Sequence, residues 1–167
     1  MLINSKEANK ILKAIEIEYE KLSYKEEMSK TFISSINEDI ESCRPKYNYK
    51  NMQEELKILE EKIIDIKHRI NIFNTTTIVP EYNMAIDQML IYIPQLTKRK
   101  DKLELMVHTL PKQRDISQFK SNIIDYKYTN YDIEEVEFDY KKTCDELSKA
   151  QIALDTINLN KTFEIEL

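Results

Sequence analysis

Two histidines, two cysteines and one amide-rich turn are the places where this sequence could do chemistry. His68 and His108 stand forty residues apart on separate predicted helices, and neither has a His, Cys or carboxylate pair at ligand spacing. A metal centre or a general-base dyad needs such convergence, so both read as surface or interhelical residues. Glu60, Glu61 and Asp65 could be drawn toward His68, but on a helix they fall among the solvent-facing positions of a heptad. Cys43 and Cys144 form no closely spaced ligand pair and read as free thiols of a reducing compartment. The remaining candidates are donors for an anion. Arg69, Asn71 and Asn74 sit where a helix gives way to Thr75, Thr76 and Thr77, and could present hydrogen-bond donors to a ligand or a neighbouring subunit. Lys98 and Arg99, with Lys100, Lys102, Lys112 and Arg114 beyond them, form a basic cluster interrupted by Asp101 and Glu104. Alternatively, the amide-rich turn caps a helix end and the basic cluster is a solvated face.

The elements that must carry these residues are helical. The clearest is 51–73, where Met52, Leu56, Leu59, Ile63, Ile66, Ile70 and Phe73 alternate steps of four and three among Glu, Lys and Asp, the 3.5-residue stripe of helices that share a seam. A first helix over 4–24 starts at Asn4, with Glu7 as the reciprocal partner of a capping box, and carries Ala8, Ile11, Ile15, Tyr19 and Leu22. A third, over 82–110, repeats the rhythm through Ile86, Met89, Ile93, Leu96, Leu103, Val107 and Leu110, with Lys100 in the missing place and Pro94 expected to kink or restart it. A fourth, over 131–160, begins near Asp132 with Glu135 as capping partner and presents Ile133, Val136, Tyr140, Thr143, Leu147, Ala150, Leu154 and Ile157. Three β-branched or aromatic stretches break the pattern at 30–36, 75–79 and 122–128. In the last, Ile124, Tyr126 and Tyr128 alternate onto one face, which suits antiparallel pairing with 30–36. The segment 37–50 reads as a flexible loop.

Composition closes off whole classes. The chain has no glycine, which removes phosphate-cradling loops and glycine-dependent hairpins. With 25 Lys and Arg against 30 Asp and Glu, intermixed and netting −5, nucleic acid is a disfavoured partner. No stretch approaches the roughly 20 apolar residues of a spanning helix, and the first ten residues lack the pattern of a secretion signal, so the expected location is cytoplasmic. The expectation is one mainly α domain over 1–167: an antiparallel helical bundle of long, coiled-coil-like helices with a small two- or three-stranded β element.

The segment Arg69-Ile70-Asn71 with Asn74 resembles the septicolysin-like family of small, largely uncharacterised bacterial helical proteins, which carry Arg-Ile-Asn-x-Thr-Asn at a helix end. Phe73 stands at the family's Thr. The similarity resumes at Tyr131-Asp132-Ile133 and runs through Leu154-Asp155-Thr156 to Glu166-Leu167, with Phe163 where the family usually has Trp. The resemblance implies a helical fold, and the family's name implies a membrane-active cytolysin, which the missing secretion signal does not favour. Three functions are therefore expected, in order. The first is a non-enzymatic oligomeric scaffold or partner-binding protein without cofactor or metal, associating with copies of itself. The second sequesters a small anionic or nucleotide-like ligand through Arg69, Asn71, Asn74, Lys98 and Arg99. The third is a membrane-active helical protein.

Overall fold

The computed structural model describes residues 1–115 and 124–165. It is mainly α with a small β component: helices α1 (Ser5–Ser29), α2 (Ile40–Cys43), α3 (Tyr49–Thr76), α4 (Ile86–Val107) and α5 (Ile133–Asn160), with six short strands. The strands pair only two by two, antiparallel: β1 (Leu2–Asn4) with β6 (Thr162–Glu164), β2 (Ile78–Val79) with β3 (Met84–Ala85), and β4 (Lys112–Arg114) with β5 (Tyr126–Tyr128). The chain divides into two compact units, Met1–Thr77 with Ile157–Leu167, and Ile78–Thr156.

In the first unit α1 begins as its capping box dictates: Asn4 Oδ1 accepts from the Glu7 amide at 2.9 Å, and Glu7 Oε2 accepts from the Asn4 amide at 3.0 Å. α1 runs antiparallel to α3, because the residues that meet run in opposite directions: Glu16 with Lys67, Tyr19 with Glu60, Glu26 with Gln53. The apolar seam predicted for α3 is buried at Met52, Leu56, Leu59, Ile66, Ile70 and Phe73. Ile66 and Ile70 join Ile3, Ala8, Leu12 and Ile165 in one core cluster, to which Ile11, Ile15, Ile63 and Phe163 add their half-buried faces. Each fully buried aliphatic side chain there contributes on the order of 1.5–3 kcal/mol of transfer free energy. The β1–β6 ladder carries Ile3 and Ile165 into that cluster, with Ile3 opposite Phe163 and the Ile165 amide donating to the Met1 carbonyl at 3.0 Å.

In the second unit α4 and α5 also run antiparallel, since Tyr92 meets Glu146 while Tyr131 meets Met106. The α4 helix continues through Pro94. Asp132 Oδ1 accepts from the Glu134 and Glu135 amides at the start of α5. Buried residues are Val79, Ala85, Ile86, Met89 and Leu96 on one side of the chain's course and Val136, Thr143, Ala150, Ala153 and Leu154 on α5.

Several expectations are corrected. The 30–36 stretch, expected as a short strand or an extended connector, forms no strand: Ile33 and Ile36 stand in solvent, 94% and 102% exposed, and β5 pairs with 112–114 instead. Residues 122–123 of that predicted strand, and the Glu166-Leu167 match, lie outside the described residues. Thr75 and Thr76 remain helical, their hydroxyls donating back to the Asn71 and Ile72 carbonyls, which leaves Thr77, Ile78 and Val79 extended. The loop over 37–50 contains the single turn α2, capped by Asp39.

Candidate functional site

Arg69 lies on α3 one turn after Asp65 and half-buried against the terminal ladder. Its Nε donates to Asp65 Oδ2 at 2.8 Å, and its Nη1 donates to the Glu164 carbonyl at 3.3 Å. One turn further on, Phe73 stacks on Phe163 with ring centroids 4.6 Å apart. Arg69, Phe73, Thr76, Thr77, Lys161 and Thr162 are among the residues lining a cavity of about 360 Å³ at this corner. The guanidinium is engaged by a carboxylate and a carbonyl that the fold itself supplies, so it acts first as a pin holding β6 against α3. An anion entering the cavity would compete with Asp65 for it.

The other sequence-predicted donors are not gathered at that cavity. Asn71 is exposed and Asn74 half-buried, and neither lines it. Lys98 and Arg99 belong to the second unit and are both exposed. Arg99 lines a different cavity, of about 270 Å³, with Tyr92, Leu96, Asp139, Lys142, Thr143 and Glu146. The carboxylates near His68 are spoken for: Tyr19 donates to Glu60, Lys57 pairs with Glu61 at 3.7 Å, and Asp65 holds Arg69. Among the described residues no group of three or more His, Cys, Asp and Glu could hold a metal ion. The basic residue Lys112 sits over the rings of Tyr126 and Tyr128, 4.2 and 5.5 Å from their centroids, an exposed cation–π arrangement.

One polar cluster was not legible in the sequence. In the second unit the four residues Pro80 to Asn83 turn the chain between β2 and β3, with the Tyr82 amide donating to the Val79 carbonyl at 3.2 Å. Asn83 takes the left-handed conformation at φ 49°, a place a chain without glycine fills with the residue that tolerates it best. That turn brings Tyr82 to Tyr92, ring centroids 5.9 Å apart, and the Tyr92 hydroxyl donates to Glu146 Oε1 at 3.2 Å. Glu146 is shared by the Arg99 cavity and a larger one of about 480 Å³, lined by Glu81, Tyr82, Lys149, Ile152, Ala153 and Thr156 as well. Burial first, and the Glu146 charge second, hold both phenols above their ordinary pKa of 10.0. Both are therefore neutral at neutral pH. Because folding raises these phenol pKa values, their contribution to stability is complete below pH 10 and is lost as the pH rises through the folded-state values. Glu146→Gln is expected to bring two tyrosinate transitions part of the way back toward pH 10, read from absorbance near 295 nm. A titration curve unchanged by the substitution would remove Glu146 from the assignment.

No protein-family model matches the chain, and no curated protein matches it. Among solved structures, the crystal structure of a functionally unknown conserved protein from Corynebacterium diphtheriae matches with a TM-score of 0.63 at 17% identity, over 98% of this chain and all of that one. At that identity the likeness concerns the fold alone.

Proposed function

We propose that the chain is a non-enzymatic helical protein that associates with copies of itself, its helices supplying faces that one copy leaves uncovered. The observation that carries this reading is exposed apolar side chains. Ile17, Tyr24 and Met28 recur at helical spacing on the face of α1 turned away from α3, all exposed, and Ile33 and Ile36 follow in the segment after α1. Apolar side chains grouped on one exposed helix face are of the kind found where a surface meets another protein. Among the described residues no helix is long and apolar enough to cross a membrane. Sedimentation equilibrium at about 10 μM is expected to return a multiple of 20.0 kDa. A strict monomer from micromolar concentrations upward overturns the proposal.

Kinship with the septicolysin-like family belongs to the same reading. Its support is that two of the positions where this chain departs from the family's pattern, Phe73 and Phe163, stack on one another. A matched change at two touching positions is how a corner keeps its packing while its residues drift.

A further inference from the structure

The two flanks of the α1–α3 pair differ in a way that names a partner. On one flank the polar groups close on each other across the seam: Lys67 pairs with Glu16 at 2.8 Å, the Tyr19 hydroxyl donates to Glu60 at 2.9 Å, and Gln53 Nε2 donates to Glu26 at 2.6 Å. The opposite flank is a groove of about 440 Å³ with Leu22, Ile58 and Leu59 on its floor and Glu18, Lys21, Lys25, Glu55 and Lys62 around it. Among the described residues none of these five charges makes an ion pair. The register fixed by the closed flank sets Glu18 level with Lys62 at one end of the groove and Lys25 level with Glu55 at the other. Like charges therefore occupy diagonal corners.

A four-cornered pattern of that kind is complementary to itself. We propose, resting on the self-association reading above, that this groove is where two copies of the chain meet, related by a two-fold axis parallel to the helices. Each α1 then lies along the partner's α3. Glu18 faces Lys62 of the partner subunit, Lys25 faces Glu55 of the partner subunit, and the four helices alternate in direction around a shared apolar centre. A two-fold perpendicular to the helices would also match the corners, setting Glu18 against the partner's Lys25. It would also bring the two copies of Lys21 together near the axis, and the parallel axis avoids this by laying the Lys21 stem along the partner's α3.

Charge exchange tests both the face and the axis, with self-association read by sedimentation and helicity by circular dichroism. Glu18→Lys is expected to weaken association at least about tenfold, since an isologous interface contains the changed pair twice. Adding Lys62→Glu is expected to restore it to within about threefold, while adding Lys25→Glu leaves it weak. Ile58→Glu, at a half-exposed position where the helix pair keeps its own seam, is expected to abolish association with helicity unchanged. Rescue by Lys25→Glu in place of Lys62→Glu overturns the proposed axis. Wild-type association unaffected by any of the four substitutions overturns the groove and leaves self-association standing, whereas a monomeric wild type overturns both.

Discussion

Ile66→Ala is expected to lower the unfolding free energy by about 3–5 kcal/mol, measured by urea denaturation followed at the helical circular-dichroism band. Ile66 is fully buried, at the meeting of α3 with α1 and the terminal ladder, and its neighbours Ile3, Ala8, Leu12, Ile70 and Ile165 come from four separate elements or segments. Such a site cannot collapse onto the space left by three carbons without moving a helix and a strand together, so the cavity cost adds to the lost transfer energy. Ile64, two residues away and 67% exposed, is the matched control: Ile64→Ala is expected to change stability by no more than about 0.5 kcal/mol. Equal effects at the two positions would show that the helix is seated with the wrong face inward.

Met89→Ala is expected to destabilise by about 2–4 kcal/mol in the same assay. Met89 has no exposed surface, and with Val79 and Ile86, also fully buried, it fills the part of the second unit where the β2–β3 turn leads into α4. An unbranched side chain adapts to irregular gaps, and the neighbours adapt less well to its absence than to a change in its shape. Met89→Leu should therefore cost under about 1.5 kcal/mol, and a Leu variant as damaged as the Ala variant would contradict the packing described. Leu90→Ala, on the adjoining half-exposed position, supplies the baseline.

The α3 seam could be read from the sequence almost residue for residue because a 3.5-residue rhythm is a local property: it records which side of a helix is dry without needing to know what dries it. Six of its seven predicted positions are buried and Ile63 is half-buried. The Asn4–Glu7 box was legible for the same reason, both partners lying within one turn. The rhythm overshot at the end of α4, where Leu110 lies past the helix and is 62% exposed, since periodicity carries no information about where packing stops. Strand pairing was misread where it is non-local. Alternation at Tyr126 and Tyr128 announces an extended chain with two faces but is silent about its partner, which is 112–114, not 30–36. The three-residue strands β1 and β6 are too short to show a period at all, yet they meet across 162 positions, Leu2 opposite Glu164. The site was legible in the same proportion. Arg69 was singled out for its residue type, but one of its acceptors is a backbone carbonyl 95 residues away. Glu146 was overlooked because only the antiparallel register of α4 and α5 brings it to Tyr92. The groove's charges passed as ordinary solvated residues until that register between α1 and α3 placed them at corners.

The β1–β6 ladder also determines when, during synthesis, each part of the protein can finish folding. The second unit is a continuous stretch, Ile78–Thr156, and all of it is synthesised before strand β6. The first unit is interrupted by it. Ile3, Ala8 and Leu12 are synthesised before the second unit, but Ile165, the fully buried residue that completes their cluster, is joined only after it. While the second unit is being made, the α1–α3 pair thus has an unfilled apolar opening beside Ile66 and Ile70. That surface is open to a chaperone until strand β6 arrives.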